Sequence, residues 1–175
     1  MFKRLGAKKV INSDELAHEV FRPGHPIGKK LKSKLRIKGF LSRAQIAKEV
    51  FSNPKKRKKL ETLIHPYVFQ RIRSEVKWVP KGIVILEVPL LFETGFNRFC
   101  DVTITVLSGK RNIMNRLSKK GFDKAHVHAR LGAQLSETEK KRRSDFSVRN
   151  FGSKGLLAQE TKSVWRKLKS ILNEN

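Results

Sequence analysis

Lys81-Gly-Ile-Val-Ile-Leu-Glu-Val-Pro-Leu-Leu-Phe-Glu93 decides the fold, and the remaining residues are placed relative to it. Ile83 to Leu86 run apolar without alternation, the pattern of a strand covered on both faces in a parallel sheet, and Pro89 stops the run. Glu87 is then a carboxylate at the C-terminal end of a strand, the edge at which open α/β sheets bind their ligands. Two readings of Glu87 follow: a metal or phosphate site, or a strand-end carboxylate held by neighbouring backbone N–H groups.

On the N-terminal side, Phe2 to Leu5 read as the last turn of a helix with Gly6 at its C′ position. Val10 and Ile11 make a short strand that ends at Asn12-Ser13-Asp14. The spacing of Leu16, Val20 and Phe21 predicts a helix over 15–21, with Ser13 or Asp14 available to cap it. The alternative for Asp14 is a strand-end carboxylate facing the same crevice as Glu87, and the sequence leaves both open. Pro23, Gly24, Pro26 and Gly28 mark a loop. Residues 29–38 alternate Lys or Arg with Leu31, Leu35 and Ile37 and read as a solvated charged face. Ser42 opens a helix carrying Ile46, Ala47, Val50 and Phe51, and Asn53-Pro54 opens the next. Its stripe, Leu60, Leu63, Ile64, Tyr67, Val68, Ile72 and Val76, runs to about Trp78. Pro66 predicts a break or kink at His65, which would serve there as a cap or as an exposed contact.

On the C-terminal side, Asp101 to Leu107 form another apolar strand. Helical signals cover 112–120 and 123–135, and Ser136-Glu-Thr-Glu139 offers a capping box for a third helix. Phe146 to Val148 read as a last strand and Asn150 to Ser153 as a turn. The closing helix is amphipathic through Leu157, Val164, Trp165, Leu168, Ile171 and Leu172. This order predicts a three-layer α/β fold with a parallel sheet, in a single domain over 1–175.

Forty Lys and Arg against 15 Asp and Glu leave a formal net charge of +25. Such a charge attracts polyanions without choosing among nucleic acid, nucleotides and acidic surfaces. A single cysteine, Cys100, excludes an intrachain disulfide framework and fits a reducing compartment. No run approaches the roughly 18 apolar residues of a membrane span, and the basic opening lacks the apolar core of a secretory signal. The expected location is the cytoplasm, with no membrane partner.

Four strings carry more than a generic α/β pattern: Ser13-Asp-Glu-Leu-Ala-His18, Leu63-Ile-His-Pro66, Glu87-Val-Pro-Leu-Leu-Phe-Glu93 and Asp145-x-x-Val-x-Asn-x-Gly-Ser153. With Ser42-Arg43 before Val50-Phe51, Arg116-Leu117, and Arg130 before Gln134, they form a collinear set. From about Phe2 to the C-terminal helix the chain resembles the dephospho-coenzyme A kinase family. The resemblance implies a P-loop kinase fold and transfer of the γ-phosphoryl of ATP to the ribose 3′-hydroxyl of dephospho-coenzyme A. It implies Asp14 as base, Glu87 in the Mg2+ shell, a helical acceptor-binding insertion over 22–80 with Arg43 and His65 as contacts, and Glu93 as a further substrate-binding residue. Arg116, Arg130, Lys119 and Lys120 would belong to a lid over 116–143, and Asn150 and Gly152 would line the adenine pocket. Lys119 or Lys120 stands where family members often carry an arginine, which keeps the charge and loses the bidentate fork.

The chain departs from the family at its start. The resemblance implies a central strand and a Gly-x-x-x-x-Gly-Lys-Ser/Thr loop ahead of Phe2, and no such motif occurs in the 175 residues. Its absence removes the backbone cradle for phosphates and leaves two neighbouring strands unpaired on one edge. The expectation is a reading frame upstream of Met1 that encodes them, or a gene that has lost them, and little catalysis without them. A second reading, from the charge alone, is a basic module that binds nucleic acid non-specifically. Few aromatics interleave the basic runs, which disfavours a dedicated role in stacking on bases.

Overall fold

The computed structural model describes residues 1–37, 42, 45, 46, 49, 50, 53–119, 121, 127, 131, 132 and 134–173. These fall into two compact units, one continuous over Lys8–Val88 and one made of Met1–Ala7 with Pro89–Asn175.

In the Lys8–Val88 unit, β1 (Lys9–Asn12) pairs in parallel with β2 (Val84–Glu87), Ile11 opposite Leu86 and Asn12 opposite Glu87. The strand over Ile83–Leu86 is present, but its side chains are half-buried rather than covered on both faces. Among the described residues β2 has one partner strand, β1. Helix α2 (Ser13–Glu19) follows β1 directly. Its cap is neither Ser13 nor Asp14 but Asn12, whose Oδ1 accepts from the N–H groups of Asp14 at 2.9 Å and Glu15 at 3.4 Å.

Residues 29–35 are not merely a solvated face, because α3 (Pro26–Leu35) passes through them. Leu31 and Leu35, four apart on one side of that helix, are almost fully buried while the lysines between them stay exposed. Ser42 caps the next helical segment as expected: its Oγ accepts from Gln45 N–H, and Gln45 Oε1 accepts from Ser42 N–H, both at 3.2 Å. Ile46 and Val50 are buried there, while Ala47 and Phe51 lie outside the described residues.

Helix α4 (Pro54–Lys77) starts at Pro54 with Asn53 as its cap and does not break at His65. Pro66 removes one N–H from the ladder, at a cost of about 3 kcal/mol. Ile64, Val68 and Ile72 are buried on the same helix, which packs against α2 and α3. Burial of each such side chain contributes roughly 1.5–3 kcal/mol, so packing outweighs the proline. A polar lattice ties these elements: Tyr67 donates to Glu19 at 2.5 Å, Arg71 reaches Glu19 at 3.2 Å and Glu75 at 3.1 Å, and Lys9 pairs with Glu75.

In the other unit, β3 (Ile104–Leu107) runs parallel to β4 (Phe146–Arg149), with Leu107 opposite Arg149. Asp145 fixes that pair by accepting from both the N–H and the hydroxyl of Thr103 at 2.7 Å. Helix α5 (Lys110–Ser118) follows β3; α6 (Glu137–Arg143) packs on β3, and α7 (Lys154–Asn173) packs on β4. The expected helix over 123–135 lies largely outside the described residues. The box at α6 is only half formed: Ser136 Oγ accepts from Glu139 N–H, but the Glu139 carboxylate turns to Arg142 and Arg143. On α7, Val164, Trp165 and Leu168 are buried, whereas Ile171 and Leu172 are exposed beyond the reach of β4. The opening turn α1 (Phe2–Leu5) ends at Gly6 with φ of 114°, which a Cβ would strain, and Phe2 packs on Trp165 with ring centroids 6.1 Å apart.

Candidate functional site

In the Lys8–Val88 unit, two carboxylates stand at the C-terminal edge of the parallel pair. Glu87 ends β2 and Asp14 occupies the first turn of α2, immediately after β1; both are exposed. Asn12 connects them. Its Oδ1 caps α2 beside Asp14, and its Nδ2 donates to Glu87 Oε2 at 3.1 Å. One amide thereby fixes the entry of the helix and the rotamer of a strand-end carboxylate, using its acceptor for one and its donor for the other. The position of Asn12, last in a strand and first before a helix, was available to a sequence reader. The strand register that sets it opposite Glu87 was not.

The residues fit a magnesium ion, which is commonly held by one or two carboxylates with water and substrate phosphates completing its shell. Among the described residues no cluster of three or more acidic, His or Cys side chains forms a protein-only cage. The Gly-x-x-x-x-Gly-Lys-Ser/Thr motif, which would cradle a triphosphate, does not occur in the 175 residues.

His65 sits in the interior of α4, half-buried, with its ring stacked on Phe69 at 6.2 Å between centroids. It is therefore not a cap. Burial pushes its pKa down, and the charge of Glu61 one turn earlier opposes that shift. Arg43, like Arg130 and Lys120, lies outside the described residues.

In the other unit, Arg116 and Asn150 come together: Arg116 Nη2 donates to Asn150 O at 2.9 Å and to Asn150 Oδ1 at 3.2 Å. A third contact, from Nη1 to Ser108 Oγ at 3.5 Å, ties the guanidinium to the loop after β3. Lys119 is exposed at the C-terminal end of α5. Gly152 is exposed in the turn after β4, with Leu156 close enough that a Cβ would stand 2.8 Å from its Cδ1. Glu93 already has partners, accepting from Leu135 N–H at 2.7 Å with Lys140 Nζ at 3.7 Å.

One carboxylate here has partners that the sequence pattern does not give. Glu137 accepts from the N–H groups of Ser108 at 2.8 Å and Gly109 at 3.0 Å, and so closes the N-terminus of α5. Nothing in the local pattern distinguishes it from the capping glutamates beside it.

The chain is similar to known proteins along most of its length. A family model described as dephospho-CoA kinase matches residues 1–155. The dephospho-CoA kinase of Leptospira interrogans serovar copenhageni is 39% identical over 165 residues, spanning 90% of this chain and 80% of that protein. The dephospho-CoA kinase of Geobacillus kaustophilus is 32% identical over 183 residues, spanning 99% and 87%. A crystal structure of a Thermus thermophilus protein superposes with a TM-score of 0.78 at 30% identity, covering 95% of this chain and 87% of that one. The dephospho-CoA kinase from Campylobacter jejuni, at 23% identity and a TM-score of 0.66, shares the fold. That fold is the α/β, P-loop kinase-like one expected from the order of strands and helices. With its family model matched over most of its length and relatives above 30% identity along nearly all of it, the chain belongs to the dephospho-CoA kinase family.

Proposed function

We propose that this chain is the body of an enzyme that phosphorylates the ribose 3′-hydroxyl of dephospho-CoA with ATP, the last step of coenzyme A synthesis. The observation that carries the proposal is the Asn12 bridge, which holds Glu87 at the strand edge beside the exposed Asp14 in a member of this family. Asp14 takes the proton from the acceptor hydroxyl as its oxygen attacks phosphorus and ADP departs. Glu87 would hold Mg2+, whose charge would offset that of the phosphates. Arg116 and Arg130, with Lys119 and Lys120, balance charge on the transferring group from a lid over 116–143. Arg43 and His65 contact the acceptor from the 22–80 insertion, and Asn150 with Gly152 borders the adenine. For Glu93 the contacts with Leu135 and Lys140 support a positioning role, tethering 134–140 near Pro89, rather than direct contact with substrate.

The 175 residues alone are proposed to be inactive. Removing one preorganised donor costs about 10²- to 10³-fold in rate, and the glycine-rich loop would supply several. A cytoplasmic setting is supported by the lone cysteine and by the finding that no described helix is long and apolar enough to cross a membrane. Nucleic acid enters this reading only as a polyanion, held without sequence preference.

The test is an ADP-release assay with ATP, Mg2+ and dephospho-CoA. It compares the 175-residue chain with the same chain carrying an apolar strand and a Gly-x-x-x-x-Gly-Lys-Ser loop ahead of Met1. Turnover is expected only in the extended chain and is expected to vanish in Asp14→Asn. Full turnover in that variant would sink the assignment of Asp14. Calorimetric titration of the 175-residue chain with dephospho-CoA at moderate salt should saturate at one site; binding of every polyanion alike would remove the acceptor site from the proposal.

A further inference from the structure

The positive charge is not spread evenly. Residues 22–59 hold 14 of the 40 lysines and arginines and one of the 15 acids, whereas residues 60–107 hold five of each. A general basic bias of composition would not leave the middle of the chain neutral. The one acid of the 22–59 stretch, Glu49, is already paired with Lys56.

The structure gives part of this charge a shape. Lys29, Lys32 and Arg36 lie on one side of α3 at i, i+3 and i+7 spacing and line, with Ser33 and Ile37, an open hollow of about 500 Å³. All three cations are exposed and make no ion pair among the described residues. The helix beneath them is anchored by buried Leu31 and Leu35 and packs on α4. Arg36 closes the helix in the left-handed region, with φ of 54°, and so turns the chain away at the end of the row. Like charges held this close on a helix repel one another. The row is thus kept at a cost that an anionic partner would relieve.

We infer that this face of α3 docks the phosphate backbone of a nucleic-acid duplex, apart from any phosphoryl transfer. A membrane surface is disfavoured because no large hydrophobic side chain described in 22–59 is exposed, and an interfacial helix needs such side chains to insert. Single strands are disfavoured because no aromatic ring among the described residues lines the hollow to stack on bases. What remains is a row of cations with the spacing of helix turns, suited to successive phosphates and indifferent to sequence.

The experiment measures binding of the full chain to a 30-base-pair random-sequence duplex by fluorescence anisotropy across a salt series. Three proteins are compared: the wild type, a groove variant with Lys29→Gln, Lys32→Gln and Arg36→Asn, and a control with Lys154→Gln, Lys162→Gln and Lys169→Gln. Asparagine is chosen at 36 because it tolerates the left-handed backbone. A Lys29→Arg, Lys32→Arg protein checks that charge rather than folding is read. The groove variant should weaken binding at least tenfold and lower the slope of log K against log salt by about 0.9 per cation removed. The control should change neither appreciably, and the arginine protein should bind as the wild type does. Equal losses in groove and control variants would overturn the inference, as would absence of duplex binding by the wild type at low salt. Tighter binding to anionic phosphatidylserine vesicles than to duplex would assign the face to membranes instead. Displacement of the duplex by dephospho-CoA would make the hollow an acceptor subsite, whereas failure of the ADP-release assay leaves the duplex measurement unaffected.

Discussion

Asn12 Nδ2 donates to Glu87 Oε2 at 3.1 Å while its Oδ1 caps the helix that carries Asp14. Removing the side chain therefore has two separable effects. Asn12→Ala should lower stability by about 1 kcal/mol through the lost cap, read as a shift in the urea midpoint. Asn12→Asp keeps the acceptor for Asp14 and Glu15 but sets a second carboxylate against Glu87. It should lose less stability than the alanine variant at neutral pH, because the helix keeps its cap. An alanine variant as stable as the wild type would mean that water replaces the cap.

Pro66 is exposed within α4, so its ring contributes little packing. Pro66→Ala restores an N–H to the helix ladder and should stabilise the chain. The gain of up to about 3 kcal/mol from the helix is reduced by roughly 1 kcal/mol for the greater freedom of the unfolded chain. Thermal unfolding followed by circular dichroism should show a higher midpoint. A lower midpoint would show that the helix has been built around the irregularity.

His65 makes stability depend on pH in a stated direction. Burial holds its pKa below the ordinary histidine value of 6.5 in the folded chain. Its contribution is therefore complete above that ordinary value and is lost as pH falls through the folded one, because the unfolded chain takes up the proton more readily. Urea midpoints should fall more steeply between pH 7 and pH 5 in the wild type than in His65→Gln. Glu61→Gln removes the opposing charge and should push the histidine further down in a proton NMR titration.

Asp145 works the same way at lower pH. The Thr103 hydroxyl, and then its N–H, hold the Asp145 carboxyl below the usual aspartate range. The stability it adds is present above that range and disappears as pH falls through the depressed value. Asp145→Ala should be less stable than the wild type at pH 7, and the gap between the two should close with acidification below about pH 4. A gap unchanged at acid pH would assign the loss to packing rather than to the carboxylate.

Local signals in the sequence found what is locally encoded. Gly6 after a helical turn, Asn53-Pro54 before a helix and the Val164-Trp165-Leu168 spacing each named an element that the structure contains. Glu87 was legible as a strand-end residue for the same reason, whereas the sequence left Asp14 between a helix cap and a strand-end carboxylate. Reasoning failed where a distant partner decides the outcome. The lysines of 29–34 hid the Leu31–Leu35 spacing, whose meaning depends on the face that α4 presents to it. Pro66 looked decisive because its cost is local, while the burial that offsets it comes from α2 and α3. Asn12 was passed over as a cap because its second role is set by the register of β1 on β2. Glu137 was read as part of a helix start, and its hold on Ser108 and Gly109 joins residues from opposite ends of a long connection.

The packing of Phe2 on Trp165 has a consequence for synthesis. Residues 8–88 emerge from the ribosome as one uninterrupted run and hold all the contacts of their own unit. Residues 2–5 leave before that run but must wait for Trp165 on α7. At translation rates of about 5–20 residues per second, the interval between Val88 and Trp165 is roughly 4 to 15 seconds. Residues 2–5 are thus expected to settle later than the 8–88 run that follows them, because the ring that Phe2 packs on arrives only with α7.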